Sequence, residues 1–293
     1  MIEVLLAALV ASMKVVRKNQ GIGNHEVEVK RDNSLRTITD RESEQAMLDV
    51  IIPRLSGGVG VQVEEKGMIR VGNGGLKILG DALDGTITFV RGALGSTVII
   101  AVYDGVAKRV TLCLVGEPAS GRVWVAEADK GTRVRKFDFA TEQFGPEVPV
   151  HVAEPLPLGS GATVFLDLYP GFTRKDARVF SVEECVRLFR KIFGKYGVTM
   201  LGSNGIHHAL VANGAEGVAG AITTAIGGPW DVAPALLVLQ AGGFARAFSV
   251  EPDGSLKEQD PLDVFSYHFL VTGNTQATVD ELSEALLTVS LRA

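Results

Sequence analysis

The stretch Leu76-Lys-Ile-Leu-Gly-Asp-Ala-Leu-Asp-Gly-Thr86 restricts this chain more than any other: a strand-like apolar run ends in two carboxylates three residues apart, followed at once by Gly-Thr. Asp81 and Asp84 converge only if the backbone turns between them. Hard divalent cations take carboxylate and carbonyl oxygens, and Mg²⁺ keeps water and phosphate in its shell. Asp81, Asp84 and the Leu83 carbonyl could supply such oxygens. Gly85 and Thr86, at the start of a helix, would offer backbone N–H groups to a phosphate. Alone, D-x-x-D-G-T fits a tight turn or a helix cap as readily as a metal site.

The remaining signals predict a mixed α/β protein. Met1–Val16 is apolar in the manner of a signal peptide, but Glu3 stands where positive charge is expected and the run is too short to span a bilayer. It reads as an amphipathic first helix. Thr39-x-x-Glu42 reads as a capping box opening a helix that turns Ala46, Met47, Val50 and Ile51 to a core and ends near Pro53. From Ser96 to Glu127, β-rich runs separated by Asp104-Gly105 and Ser120-Gly121 predict an antiparallel meander. Ser181-x-x-Glu184 opens a helix with Val182, Cys185, Val186, Phe189, Ile192, Phe193 and Tyr196 at helical spacing. A strand at Val198–Leu201, a helix near Ile206–Ala212, the run Gly220–Ile226, a helix over Trp230–Gly243 and two more strands follow. The last helix is capped by Thr278-x-x-Glu281. Four of the eleven prolines fall between Phe144 and Gly161, which places a boundary near residue 150, with an α+β domain over 1–150 and an α/β domain over 151–293.

With 293 residues, 46% hydrophobic and 22% charged, the chain can bury a large core, and disorder is not expected. A formal net charge of −5 leaves no basic surplus for a nucleic-acid polymer, whereas a small anionic ligand is compatible with it once a cation is bound. Cys113 and Cys185 lie far apart and read as core residues in a reducing compartment, with no disulfide framework and no thiolate metal site. A cytoplasmic protein with no membrane partner is the expectation.

Two companions accompany the carboxylate motif. Glu64-Glu65 precedes it by a short loop, and Asp231 stands in Trp-Asp-Val-Ala ahead of an apolar run. Separately, a Glu pair reads as a solvated strand end and Asp231 as a helix cap. Together, VEEKG, GDALDGT and WDVAPALLVLQAGG resemble, in order, the motifs of the inositol monophosphatase family of lithium-sensitive sugar phosphatases. Thr39-Asp40 with Glu44, GSTVIIAVYDG and VAEADKG extend the resemblance over most of residues 30 to 250.

That resemblance implies a layered αβαβα sugar-phosphatase fold and a Mg²⁺-dependent phosphomonoesterase that acts on a small phosphate ester as a homodimer. It implies that Glu64, Asp81 and the Leu83 carbonyl hold one Mg²⁺, that Asp81, Asp84 and Asp231 hold a second, and that a weaker third shares Glu64. Whether Glu64 or Glu65 is the ligand stays open. Most metal ligands then lie in the first domain, with Asp231 and the substrate-facing residues in the second. Asp40 and Thr86 would form the dyad that deprotonates water, with Gly85, Thr86, Ser203 and Thr224 near phosphate or substrate. Ala82 replaces the family's Pro, Thr88 its Asn and Val63 its Gly, and none of these removes a ligand. Inositol-selective members carry acids seven and eleven positions before the Trp-Asp aspartate, where this chain has Thr224 and Gly220. Fructose 1,6-bisphosphate and adenosine 3',5'-bisphosphate therefore stand beside inositol phosphate as substrates. A non-catalytic, metal- or phosphate-binding relative is the reading of another class.

His207-His208 reads as packing, because adjacent helical residues cannot both face one metal. Gly159–Ala162 and Gly72–Gly75 lack the strand-to-helix setting of a dinucleotide site, and Thr173–Arg178 reads as a solvated basic loop. Trp124 and Trp230 read as packing residues. There is no Gly-x-Ser-x-Gly elbow and no P-loop.

Overall fold

A computed structural model of the chain describes residues 1–21, 26–30, 34–55, 58–156, 161–168, 181–224, 226–252 and 255–290. Helices α1 (Ile2–Asn19) and α2 (Ile38–Arg54) flank a hairpin of β1 (Glu28–Val29) and β2 (Leu35–Arg36). Strands β3 (Gly60–Val63), β4 (Gly67–Arg70) and β5 (Leu76–Asp84) follow, and β5 runs into the short α3 (Thr86–Val90). The predicted meander is β6 (Thr97–Asp104), β7 (Arg109–Gly116) and β8 (Arg122–Glu127). It continues into β9 (Gly131–Asp138), which β10 (Gln143–Phe144) and β11 (Val148–Val150) both pair. These strands form one sheet in the order β10-β9-β8-β7-β6-β5-β3-β4.

The later residues give β12 (Thr163–Asp167), α4 (Val182–Phe193), β13 (Gly197–Thr199), α5 (Asn204–Ala212) and β14 (Val218–Thr223). After them come α6 (Pro229–Val232), α7 (Ala235–Gln240), β15 (Phe244–Val250), β16 (Leu256–Gln259), β17 (Phe269–Gly273) and α8 (Gln276–Ser290). Their sheet has the order β13-β12-β14-β17-β15-β16, parallel among its first three strands and antiparallel beyond.

Strand alternation sorts the side chains into three cores. Ile78, Ile100, Val102 and Leu114 face α1 and α2, where Leu5, Leu9, Met13, Met47 and Ile51 cover them. From the opposite face Leu79, Ile99, Ala101 and Trp124 meet Ile206, Ala209, Leu236 and Leu237 of α5 and α7, which also pack on Phe165, Ala221 and Leu270 of the second sheet. The far face of that sheet, with Val164, Leu166, Ile222 and Val271, is covered by Leu188 and Ile192 of α4 and by Leu282 and Leu286 of α8. Helix pair, sheet, helix layer, sheet, helix pair: the αβαβα arrangement expected of the sequence is the fold. Both cysteines and both tryptophans are buried, as expected, and no described helix is long and apolar enough to cross a membrane.

Local corrections have local causes. Helix α2 is capped by Thr37, whose hydroxyl accepts from the Thr39 and Asp40 N–H groups while the Asp40 carboxylate accepts from Thr37 N at 2.7 Å. The box is Thr37–Asp40 rather than Thr39–Glu42, because two overlapping Thr-x-x-acid patterns compete and the shorter Asp closes the earlier one. Helix α8 likewise starts after Thr275, whose hydroxyl accepts from Thr278 N at 3.1 Å. The helix expected over Trp230–Gly243 is two helices, since Pro234 has no N–H to continue the first and caps the second. Helix α4 has the predicted Ser181–Glu184 box, yet Val182, Val186, Phe189 and Phe193 are exposed and only Cys185, Leu188 and Ile192 of the helix's apolar residues turn inward. Residues 72–75 form a loop, as expected, whereas Thr173–Arg178 and the first two residues of Gly159–Ala162 lie outside the described residues.

Leu9 is fully buried between α2 and the first sheet. Leu9→Ala should lower the unfolding free energy by roughly 3 kcal/mol, read as a lower denaturant midpoint at unchanged slope.

Candidate active site

Strict alternation would send Asp81 and Asp84 to opposite faces of β5. The register against β6 shifts between them, with Asp81 opposite Ile99 but Asp84 opposite Thr97, so three steps on one strand match two on the other. This bulge turns both carboxylates to the α5–α7 side. The Ala82 carbonyl, inside the bulge, accepts from Ser12 Oγ of α1 at 3.2 Å. Asp231, in the first turn of α6, completes a buried cluster in which one ligand atom from each of Asp81, Asp84 and Asp231 lies within 4.8 Å of the others.

Each aspartate is anchored through one oxygen. Asp81 Oδ1 accepts from Leu83 N at 2.9 Å. Asp84 Oδ2 accepts from Ser203 Oγ at 2.6 Å, Gly205 N at 2.7 Å and Thr97 Oγ1 at 3.0 Å. Gly205 is required for that approach, because a Cβ there would stand 2.3 Å from Thr97 Oγ1. Asp231 Oδ2 accepts from the N–H groups of Gly227 and Gly228. Asp231 therefore helps order its helix start, as the bland reading expected, and also turns into the cluster.

The cluster forms the floor of a cavity of about 280 Å³ lined by Glu64, Asp81, Leu83, Asp84, Gly85, Thr86 and Asp231, together with Lys30, Asp167, Asn204 and Trp230. Gly85 has φ of 89°, the left-handed region, and a Cβ there would come 2.8 Å from the Gly202 carbonyl, so glycine alone fits the corner between β5 and α3. Thr86 Oγ1 donates to Asp40 Oδ1 at 2.9 Å. Asp40 thus serves twice, closing the capping box of α2 through one oxygen and meeting Thr86 through the other. Of the Glu pair, Glu64 lines the cavity, while the Glu65 N–H donates to Glu44 Oε2 at 2.7 Å and the Glu65 carboxylate pairs with Lys30 and Arg36. Lys30 Nζ also pairs with Glu64 at 2.8 Å. Ser203 reaches the site through Asp84, and the Thr224 hydroxyl donates to the Asp167 carbonyl, so neither side chain lines the cavity.

Among the cavity residues that escaped the sequence reading are Asp167, Lys30 and Asn204. Asp167 ends the strand-like run Thr-Val-Phe-Leu-Asp, the same apolar-run-then-Asp pattern that marked Asp81. Lys30 and Asn204 carry no such signal. His207 and His208 are both buried, and burial lowers each to a pKa of about 3, so they stay neutral. His207 Nε2 accepts from Leu201 N at 3.1 Å, and the Leu201 carbonyl accepts from Thr88 Oγ1, which sets the loop that carries Gly202 and Ser203.

Five carboxylates and one ammonium line this cavity, a formal charge of −4 when all are ionised. Burial raises Asp81 and Asp231 well above the usual carboxylate range, with charged carboxylate neighbours adding to it. Burial also raises Asp84, and it pushes Glu64 to about 7 and Asp167 to about 8. Asp40 is raised by burial against its hydrogen bonds. The donor set is all oxygen, buried and uncompensated, which fits hard divalent cations.

The chain resembles known proteins throughout. The sequence model of the inositol monophosphatase family matches residues 1–285. No curated protein matches the chain in sequence. Among solved structures, extragenic suppressor protein suhB from Bartonella henselae superposes with a TM-score of 0.77 at 19% identity, over 97% of each chain. The Thermotoga maritima IMPase superposes with a TM-score of 0.73 at 22% identity over 98% of each. A gene product described as an inositol monophosphatase–fructose 1,6-bisphosphatase gives 0.69 at 17% identity, over 97% of this chain and 99% of that one.

A carboxyl group whose pKa is raised by folding binds more protons in the folded chain than in the unfolded one, so stability is lost as pH rises from the unfolded value near 4 toward the folded one. In EDTA, Asp81→Asn should therefore gain stability relative to wild type between pH 5 and pH 8, and Mg²⁺ should stabilise wild type most at pH 8. Melting curves would show this, and an advantage for the variant that shrinks over that window would contradict it.

Proposed function

The chain belongs to the inositol monophosphatase family, and on that premise we propose that it is a Mg²⁺-dependent phosphomonoesterase acting on a small phosphorylated polyol, sugar or nucleotide. The observation that carries the reading is the convergence, on one cavity, of three mutually close aspartates with the Thr86–Asp40 pair. Asp81, Asp84 and Asp231, with Glu64 and the Leu83 carbonyl, are the residues to hold two or three Mg²⁺ ions. Divalent cations there would offset the negative charge of the clustered aspartates. Bound there, Mg²⁺ supplies Lewis acidity toward phosphoryl oxygens and lowers the pKa of water.

The chain's own residues do the rest. Thr86 Oγ1, donating to Asp40, turns its lone pairs outward and accepts from the attacking water; as the water is deprotonated, Thr86 passes its own proton to Asp40. A carboxyl raised by burial is suited to receive it. Gly85 and Thr86 open α3 at the cavity wall, where backbone N–H groups can hold phosphate oxygens. Ser203, Thr97 and Gly205 keep Asp84 aimed, and the family's homodimer is part of the same reading.

Phosphate release from inositol 1-phosphate, fructose 1,6-bisphosphate and adenosine 3',5'-bisphosphate, with Mg²⁺ and with chelator, tests the class and ranks the substrates. Chelation should abolish release. Asp81→Asn should lose metal affinity and activity together, whereas Thr86→Ala should lower kcat by on the order of 10²–10⁴ with little change in the Mg²⁺ concentration for half-maximal rate. Full activity in both variants, or silence of wild type on every ester, would refute the reading and favour a non-catalytic relative.

A further inference from the structure

Asp167 is a carboxylate of the cavity that the metal cluster does not use. It is buried and lines the cavity at the end of β12, yet it is not a member of the group formed by Asp81, Asp84 and Asp231. A chain of polar side chains leads to the cavity wall beside it. Thr272 Oγ1 meets His208 Nδ1 at 3.0 Å, His208 Nε2 meets Thr223 Oγ1 at 3.3 Å, and Thr223 Oγ1 donates to Asn204 Oδ1 at 3.1 Å. Asn204 lines the cavity beside Asp167 and favours its charged form. One order of donors satisfies all three contacts: the Thr272 hydroxyl to Nδ1, the Nε2–H to Thr223, and the Thr223 hydroxyl to the Asn204 carbonyl, which leaves the Asn204 amide N–H groups free to face the cavity that Asp167 lines. From the other side the Thr224 hydroxyl donates to the Asp167 carbonyl and ties the end of β12 to the segment after β14.

Such a carboxylate is costly to keep. It is buried near Asp84 and Asp231, both of like charge, with the neutral amide of Asn204 beside it on the cavity, where an aspartate can accept about four hydrogen bonds. The relay of four side chains reaches across the second sheet and ends at Asn204, on the same cavity wall. The arrangement suits a group that must present a free acceptor to a ligand carrying hydroxyl donors.

We propose that Asp167 is the specificity-determining residue of this cavity, its carboxylate accepting a hydrogen bond from a hydroxyl on the polyol or sugar portion of the phosphate ester. The inference rests on the phosphomonoesterase reading and deepens it by naming the hydroxyl-bearing part of the substrate and the residue that reads it. A site built to bond a hydroxyl rejects an ester that lacks one, because the acceptor is then left buried without a partner.

The test compares wild type with Asp167→Asn on two esters at saturating Mg²⁺. One is the preferred ester among inositol 1-phosphate, fructose 1,6-bisphosphate and adenosine 3',5'-bisphosphate; the other is 4-nitrophenyl phosphate, whose leaving group has no hydroxyl. The variant should raise KM for the hydroxyl-bearing ester by about tenfold or more, with kcat/KM for 4-nitrophenyl phosphate and the half-saturating Mg²⁺ concentration within about twofold. Its melting temperature in EDTA above pH 8 should hold or rise, since a buried charge has been removed. Equal losses on both esters with a raised Mg²⁺ requirement would make Asp167 a metal ligand and overturn the proposal; equal losses with a lowered melting temperature would make it scaffold and do the same. Wild type inactive on both esters would overturn the phosphomonoesterase reading and this inference with it, whereas an active wild type whose preference survives Asp167→Asn would overturn this inference alone.

Discussion

Everything in the site follows from one extra residue in β5. Without the register shift between Asp81 and Asp84, one carboxylate would lie in the core beneath α1 and α2, a position hostile to an unpaired charge. The bulge is held from outside the site by Ser12 of α1 through the Ala82 carbonyl, and its exit is fixed by the left-handed Gly85. Where the family pattern has proline, this chain has a buried alanine, so the corner depends on neighbouring contacts more than on a rigid ring.

The second constraint is repulsion. Buried carboxylates this close raise one another's proton affinity, and the chain meets the problem with backbone N–H groups and hydroxyls on single oxygens rather than with basic side chains. Lys30 is the ammonium that lines the cavity, and its ion pairs are with Glu64 and Glu65. Burial works against its charge, but Glu64 and Glu65 outweigh that and hold its pKa above the ordinary lysine value. The field left over is negative, which is why a phosphate ester is a plausible ligand only together with cations.

Much of this was legible in the sequence. Apolar alternation and turn residues exposed the meander, and the ordered motifs exposed the layering and the residues gathered at the cavity. What was not legible involves choices between near-equal local patterns or contacts between distant strands. Thr37–Asp40 and Thr39–Glu42 both spell a capping box, and only the packed helix start decides between them. Asp167 announces itself by the same run-then-Asp pattern as Asp81, but nothing along the chain says that β12 ends against the cavity floor of another sheet. The apolar stripe of Val182, Val186, Phe189 and Phe193 on α4 looks like core by spacing, yet it is exposed, and Cys185, Leu188 and Ile192 are the helix's residues that pack on the second sheet.

The sharing of Asp40 between a helix cap and a hydroxyl partner ties the opening of α2 to the chemistry. Thr37 and Thr86 bind opposite oxygens of one carboxylate, so the first turn of α2 cannot fray without releasing the group that orients Thr86. Local opening of that turn is a much smaller event than unfolding of the sheets, and helix ends are among the first places where native proteins open. On the proposed mechanism, in which Thr86 and Asp40 handle the proton, the fraction of molecules competent for turnover would follow the closing equilibrium of that helical turn, and amide exchange at Thr39 and Asp40, whose N–H groups bond Thr37, would report on it directly.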